Sequence, residues 1–177
     1  ITGIYISGHP LDDFRMEVEN FTTCGLDKIE NFADRDLRIA GIVSKADHRI
    51  SKKGTGWGDF SIQDFNGSLG IRMFGEDYVK HKSWFEKGNI LFIKGRYQAR
   101  WGNESDKEFK VKEIRLLESV TKEMTQSITI KLDIDRLSLD MIDAVEKICQ
   151  DHKGQHELKM VVLNKSERMK IKLRSNQ

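Results

Sequence analysis

The chain has 177 residues, which is enough for one large domain or two small ones. Hydrophobic residues make up 38% and charged residues 33%, and apolar runs such as residues 90–93 are far too short to cross a bilayer, which excludes a membrane protein. The net charge is only +2, but residues 1–36 hold eight acids and three bases, residues 44–53 four bases and one acid, and residues 153–177 seven bases and two acids. Positive charge concentrated in this way favours local contacts with phosphate groups.

Residues 1–36 are predicted to form a helical connector. The chain's only proline, Pro10, stands where the first turn of a helix tolerates it. Apolar side chains then recur at helical spacing, at Phe14, Val18 and Phe21. A second short helical turn is predicted over residues 26–32. His9 is expected to form hydrogen bonds that fix the turn before the first helix, rather than to act in catalysis.

Residues 37–118 change to the alternating pattern of β-strands. The predicted elements are strands over 37–50, 57–65, 68–74, 89–101 and 107–117, with a helix over 76–85. Asn66-Gly67 is a strong hairpin sequence, and the polar residues 102–106 are predicted to be a turn. Three strands, a helix and two strands is the order of the OB-fold, a small Greek-key barrel. The alternative that this pattern leaves open is a generic antiparallel sheet with a crossing helix.

Glycines inside the strands support closure into a barrel. Gly41, Gly70 and Gly95 are predicted to mark bends or bulges, because glycine inside a strand usually does so.

Residues 119–177 are predicted to form a small β-α-β-β domain. Its predicted elements are a polar linker over 119–126, a strand over 127–133, a helix from Ser138 to His152 and a hairpin of strands over 157–163 and 168–173. The predicted fold is therefore mainly β with an α+β part: a helical connector, a five-stranded OB-fold barrel and this small domain. Because the chain starts at Ile1 and the last domain ends abruptly, we expect an excised piece of a longer protein with a truncated C-terminal domain.

Nucleic-acid binding has the best physical support, because single strands are held by a positive groove with aromatic faces for stacking. The predicted cations and aromatic rings fall on the outer face of the barrel and in the loop before its second strand, where OB-fold ligands lie. The residues predicted to bind nucleic acid are Lys45, Arg49, Lys52, Lys53, Trp57, Arg72, Phe74, Arg96 and Arg100. His48 and Trp101 are further candidates. For each residue alone, a solvated turn or a contact with a neighbouring domain explains the side chain as well.

No catalytic, metal or cofactor site is predicted. His152 and His156 are four residues apart, but a glycine between them breaks the predicted helix, so they need not share a face. The Asp133-x-Asp135 pair has the spacing of a magnesium-binding pair, but its place at a strand end is better explained by solvated turn residues. Cys24 and Cys149 are far apart in sequence, and we expect idle thiols in a reducing cytoplasm.

The hexapeptide Ser7-Gly8-His9-Pro10-Leu11-Asp12, followed by this barrel pattern, resembles the C-terminal region of the bacterial DNA polymerase III alpha subunit family. Residues 3–12 look like the segment that joins the family's helix-hairpin-helix region to its OB domain. Residues 39–43 resemble the family's first barrel strand, and residues 52–54 its first loop. The pattern of the next elements is matched by Asp64, Gly67, Phe74 and Tyr78.

The resemblance implies that the parent protein is a DNA-directed DNA polymerase that uses Mg²⁺ and whose catalytic aspartates lie upstream of this chain. It implies an OB domain near the single-stranded template and a C-terminal domain that contacts the clamp-loader tau subunit in some bacteria. The expected partners are therefore single-stranded DNA, the rest of the polymerase chain and tau, with no membrane.

Three hypotheses about function follow. The first is a non-catalytic module that binds single-stranded DNA and handles the template. The second is a protein-interaction adaptor that docks the polymerase to clamp-loader subunits. The third, an OB domain of another enzyme such as the anticodon-binding domain of a tRNA synthetase, is disfavoured by the hexapeptide.

Overall fold

The computed structural model describes residues 9–100, 103–154, 156–164 and 166–174. Ser7 and Gly8 of the hexapeptide, and the candidate Trp101, lie outside the described residues. The chain divides into two compact units, Ile1–Lys122 and Glu123–Gln177. In the described part of the chain, no helix is long and apolar enough to cross a membrane.

The first unit is built around one five-stranded antiparallel sheet. Its strands are β1 (Asp36–Ile50), β2 (Gly56–Gln63), β3 (Ser68–Phe74), β4 (Ile90–Arg100) and β5 (Asn103–Leu116), and the helices are α1 (Arg15–Phe21), α2 (Gly75–His81) and α3 (Leu117–Met124). Short 3₁₀ turns lie at Asp12–Phe14, Leu26–Phe32 and Lys82–Trp84. The strand order is β3-β2-β1-β4-β5, with α2 between β3 and β4. This arrangement confirms the predicted OB-fold barrel.

Alternation of side chains along the strands produces the core. In β2 and β3 every second residue is buried, and the residues between them point outward. The largest side chains that are less than 2% exposed include Phe60, Phe85, Leu37, Ile39, Ile62, Ile71, Leu91 and Ile93. These residues belong to one cluster that fills the barrel.

Of the three glycines predicted to mark bends or bulges, two lie where neighbouring strands approach closely. A Cβ atom on Gly95 would lie 2.5 Å from the carbonyl oxygen of Lys110, and one on Gly41 would lie 2.8 Å from that of Gln63. Gly95 also lies at a register shift between β4 and β5. Gly70, by contrast, pairs regularly with Ser61 and has open space around it, so a bulge is wrong there.

A second, smaller cluster covers the outer side of the barrel near α1 and α3. It contains Val18, Ala40, Phe92, Leu117 and Val120, all buried. The predicted polar linker over 119–126 is therefore wrong, because α3 occupies most of it. The two buried side chains of α3, Leu117 and Val120, are three residues apart and lie on one helical face, which is sufficient to anchor a mostly polar helix.

The predicted turn over 102–106 is shorter than expected. Arg100 pairs with Asn103, so β5 begins at Asn103 and continues through the polar residues assigned to the turn.

The connector is fixed to the loop between β2 and β3. Asp64 in this loop is only 3% exposed, and its carboxylate accepts hydrogen bonds from the backbone N–H groups of Leu26 (2.8 Å), Asn66 (2.8 Å) and Gly67 (2.7 Å). The hairpin predicted at Asn66-Gly67 is confirmed, and the buried carboxylate links it to the second helical turn of the connector.

His9 has the role predicted for it. Its backbone N–H donates to Oδ2 of Asp12 (2.7 Å), and its Nδ1 accepts from the backbone N–H of Leu11 (3.2 Å). The His9 ring lies 4.9 Å from the ring of Phe65, and the Arg15 guanidinium lies 4.3 Å above that same ring. These contacts fix the turn before α1 against the β2–β3 loop.

The second unit is the predicted β-α-β-β arrangement. It comprises β6 (Ser127–Asp133), α4 (Leu139–Asp151), β7 (Glu157–Asn164) and β8 (Met169–Arg174), in the sheet order β6-β7-β8. β6 and β7 are parallel, and β7 and β8 are antiparallel. Ser138 caps α4 as predicted, since its Oγ accepts a hydrogen bond from the backbone N–H of Met141 (3.2 Å).

Candidate nucleic-acid interface

The outward side chains at one end of β1, β2 and β3 form a regular array, which we call the β1–β3 face. Cross-strand pairing places these residues in three rows, namely Arg49, Trp57 and Phe74; Asp47, Asp59 and Arg72; and Lys45, Ser61 and Gly70. Five of the nine residues predicted from the sequence to bind nucleic acid therefore lie side by side, although they come from three strands.

The first row is a stack of an arginine and two aromatic rings. The rings of Trp57 and Phe74 are 5.6 Å apart and nearly parallel, with an interplanar angle of 19°. The guanidinium of Arg49 lies 5.3 Å from the Trp57 ring. Because β1 and β3 flank β2, Arg49 and Phe74 cover opposite sides of Trp57. The ring that remains open to solvent is Phe74, which is 49% exposed.

Two cations and two carboxylates of the other two rows form a network with Arg49 of the first row. Nζ of Lys45 lies 2.6 Å from Oδ2 of Asp59 and 3.3 Å from Oδ2 of Asp47. Arg72 lies 3.4 Å from the other oxygen of Asp59, and Arg49 lies 3.4 Å from Asp47. We call these five residues the ion network. Three of the predicted phosphate-binding cations are thus already paired within the protein.

Protonation equilibria in this network favour the charged forms. The hydrogen bond from Lys45 lowers the pKa of Asp59 below its usual value, and Arg72 lowers it further. Hydrogen bonds to Asp59 and Asp47 raise the pKa of Lys45. Asp59 and Lys45 therefore both carry charge near neutral pH.

The loop between β1 and β2 presents Lys52 and Lys53. The loop is closed by backbone hydrogen bonds from Ser51 to Thr55 and from Gly54 to Ser51, both 2.9 Å, and Gly54 has a φ of +78° that favours glycine. Both lysines are exposed, and within the described ranges neither ammonium group has an ion pair or a hydrogen bond. The loop therefore adds two free cations next to the aromatic row.

Residues of β5 extend the site beyond Phe74. Arg72 and Phe74 on β3, together with Glu108 and Lys110 on β5, line a small pocket of about 120 Å³ between the two edge strands. Arg100 reaches this edge, because its Nε lies 3.9 Å from Glu108. Glu108 and Lys110 alternate with the core positions 109 and 111, but they could not be predicted from the sequence because only barrel closure brings them beside β3.

Arg96 does not join this group. It pairs with Asp36 at the start of β1, whereas the β1–β3 face lies near the end of that strand. Its guanidinium donates to the carbonyl oxygen of Asp34 (2.7 Å) and lies 3.8 Å from the Asp36 carboxylate. The side chain thus holds the end of the connector. The further candidate His48 contacts the hydroxyl of Tyr78 (3.1 Å).

The described residues contain no group of three or more His, Cys, Asp or Glu side chains placed to hold a metal ion. Asp133 caps the short turn after β6, since its Oδ1 accepts from the backbone N–H of Asp135 (3.3 Å). Cys24 and Cys149 are free thiols, and burial raises the pKa of Cys24.

Comparison with known proteins places this site in a family context. Residues 37–117 match the OB-fold nucleic acid binding domain family, and residues 128–177 match the family of the DNA polymerase III alpha subunit, C-terminal domain. The DNA polymerase III alpha subunit of Vibrio cholerae is 24% identical over 153 residues, and that of Bacillus subtilis 25% over 154 residues. The resemblance to the DNA polymerase III alpha subunit is confirmed.

The alignments cover 86% of this chain but only 13% of the Vibrio cholerae alpha subunit and 14% of the Bacillus subtilis one. Among solved structures, the OBody AM3L15 bound to hen egg-white lysozyme is 17% identical, with 54% of this chain and 88% of that chain covered and a TM-score of 0.40. The region matched to the OB-fold family, 37–117, contains all nine residues that the sequence predicted to bind nucleic acid.

Proposed function

We propose that the first unit binds single-stranded DNA on the β1–β3 face, as a non-catalytic, template-handling region of a DNA polymerase III alpha subunit. The observation that carries this proposal is the combination of a half-exposed ring, Phe74, with the unpaired lysines Lys52 and Lys53 at the same end of the barrel. Stacking faces beside unpaired cations are what a single strand requires, since its bases and phosphates alternate along the chain.

In this proposal the loop lysines neutralise phosphates while a base stacks on Phe74. A stacked base contributes about 1–3 kcal/mol, and phosphate contacts make the affinity depend on salt. Trp57 supports the Phe74 ring, because the Trp57 ring lies between Phe74 and Arg49. Arg100 and Lys110 lie on the far side of the pocket, where the strand continues past Phe74.

The proposed role of the parent protein rests on the matches to DNA polymerase III alpha subunits. We propose that the parent chain is a DNA-directed DNA polymerase, a nucleotidyltransferase of the cytoplasm, and that the rest of that chain is the partner of this region. Polymerisation and its Mg²⁺ would then belong to other parts of the alpha subunit, since this chain matches only 13% and 14% of the length of its Vibrio cholerae and Bacillus subtilis relatives.

The test is fluorescence anisotropy with a labelled oligo-dT at low and moderate salt. Replacing Lys52 and Lys53 by alanine should weaken binding and reduce its salt dependence, because two phosphate contacts are lost. The matched control replaces Lys28 and Lys147, two exposed lysines outside the β1–β3 face, and should bind like the wild type. Equal losses in the two double variants would contradict the proposed site.

The alternative function, docking to clamp-loader subunits such as tau, is favoured by one observation in the second unit. One face of its sheet is apolar, and its side chains at Ile128, Met169, Ile171 and Leu173 are 45–51% exposed. Calorimetry with the tau subunit tests this alternative. Replacing Ile171 and Leu173 by asparagine should weaken that binding, whereas the Lys52/Lys53 variant should not.

A further inference from the structure

We propose that Asp59 limits the strength of DNA binding by occupying Lys45 and Arg72, and that a DNA phosphate takes the place of Asp59 when the strand binds. This inference rests on the proposed function, because it concerns the same face. In this role Asp59 is an internal counterion in the middle of the proposed DNA-binding surface. It positions Lys45 and Arg72 and restrains them.

The geometry places Asp59 beneath the cations that it binds. Its side chain is 22% exposed, whereas those of Lys45 and Arg72 are 46% and 62% exposed. Each carboxylate oxygen has its own cation, Oδ2 at 2.6 Å from Lys45 and Oδ1 at 3.4 Å from Arg72. An approaching phosphate therefore meets the two cations first, with the competing carboxylate behind them.

The ion pairs of Lys45 and Arg72 with Asp59 change the balance of ions released when DNA binds. A free surface cation that neutralises a phosphate releases condensed counterions from the DNA, and this release is the source of tight, salt-dependent binding. A cation that leaves an internal carboxylate gives up an existing ion pair, and the carboxylate must then be neutralised from solution. Lys45 and Arg72 thus contribute less than Lys52 and Lys53, although all four carry the same charge.

Asp59 is better placed for this role than the second carboxylate of the ion network. Asp47 is 41% exposed, and its contacts with Lys45 and Arg49 are 3.3 and 3.4 Å long. Asp59 lies on the central strand of the face and makes the shortest ion pair of the network. Removing its charge should therefore free Arg72 and leave Lys45 with only its longer contact to the more exposed Asp47.

The test compares two isosteric substitutions that remove the same charge. Asp59→Asn should tighten binding of labelled oligo-dT about three- to tenfold at 50 mM salt, and it should steepen the plot of log K against log salt by about 0.7 for each freed cation. The control is Asp36→Asn at the other end of β1, where the carboxylate lies 2.7 Å from Lys112. It should leave affinity within about twofold of the wild type, since no cation of the face is freed.

A double-mutant cycle identifies the cation through which Asp59 acts. Lys45→Gln should cost less affinity in the wild type, where the ammonium is already paired, than in the Asp59→Asn background, where it should remove much of the gain. Asp59→Ser serves as a second variant, and thermal unfolding establishes that each variant is folded.

The outcomes separate this inference from the function on which it rests. Salt-dependent binding by the wild type, with no gain in Asp59→Asn or with the same gain in Asp36→Asn, would overturn the role of Asp59 alone. Equal costs of Lys45→Gln in both backgrounds would also overturn it. Absence of DNA binding by the wild type and by every variant would overturn the proposed function itself.

Discussion

At the scale of single residues, Trp57 and Phe74 differ because of what covers them. The alternation of residues along β2 and β3 predicts from the sequence that both rings lie on the outer face, and the burial pattern of the two strands agrees. The cross-strand register adds that Arg49 and Phe74 enclose Trp57, while Phe74 keeps an open side. Sequence reasoning cannot supply this distinction, because it depends on which residues of β1 and β3 lie opposite position 57.

The open ring leads to a prediction for Phe74→Leu. Leucine keeps an apolar side chain but removes the ring face, so oligo-dT binding should weaken about 5- to 150-fold, the equivalent of one stacked base. The salt slope should change little, because no cation is lost. Anisotropy titrations at two salt concentrations measure both quantities.

The matched control for this prediction is Phe65→Leu. Phe65 belongs to the same barrel, but its ring is covered by His9 and Arg15. This variant should bind DNA like the wild type, and an equal loss in both variants would argue against a stacking role for Phe74.

The sequence is sufficient to identify the cations of the β1–β3 face, but it does not show which carboxylates pair with them. Lys45, Arg49 and Arg72 are predicted from the sequence as nucleic-acid-binding cations, and the structure shows each of them beside a carboxylate. The acids that pair with them, Asp47 and Asp59, lie opposite each other only because of the β1–β2 register. Lys52 and Lys53 make no ion pair among the described residues.

At the scale of elements, hydrophobic alternation predicted all five barrel strands and all three strands of the second unit, because each strand has at least one face in a core. The element that was missed, α3, has a short and mostly polar sequence with two buried side chains, Leu117 and Val120. Its anchoring partners Ala40 and Phe92 are distant in sequence, so no local pattern identifies it.

Two strand glycines, Gly95 on β4 and Gly70 on β3, give a prediction about stability. Gly95→Ala should destabilise the first unit by about 1–3 kcal/mol, because its Cβ atom would lie 2.5 Å from the Lys110 carbonyl oxygen. Gly70→Ala should change stability by less than about 0.5 kcal/mol, because the space around Gly70 is open.

Urea unfolding followed by tryptophan fluorescence measures these changes. Trp57, Trp84 and Trp101 are the chain's three tryptophans, and all belong to the first unit, so the signal reports that unit. Similar effects of the two substitutions would contradict the close approach of β4 and β5.

Helix α2 supplies a prediction about pH. His81 at its end is 5% exposed, and burial, aided by the adjacent Lys80, lowers the pKa of its imidazole from 6.5, while Asp77 acts in the opposite direction. The unfolded chain therefore binds a proton more readily, and stability should fall as the pH drops below 6.5.

Urea unfolding at pH 7.5 and pH 5.5 checks this expectation. His81→Gln should reduce the loss of stability between the two pH values, whereas His152→Gln, an exposed position in the second unit, should not. A pH dependence that is the same in all three proteins would show that His81 is not the responsible group.

At the scale of the whole molecule, net charge says little about function. The overall value is +2, and the acidic connector offsets much of the positive charge elsewhere. DNA binding by such a chain must depend on where a few cations lie rather than on a general positive field. The domain boundaries at 36/37 and 118/119 stay predictions, as do the nine binding residues, which only binding experiments can assess.

The most direct measurement is the salt dependence of oligo-dT binding by the wild-type chain. Two free lysines should give a slope of log K against log salt of about −1.4 or steeper, since each neutralised phosphate of a single strand contributes about −0.7. A slope of this size that is lost when Lys52 and Lys53 become alanine would support template handling by the β1–β3 face. Binding that is independent of salt, or no binding at micromolar protein, would contradict it.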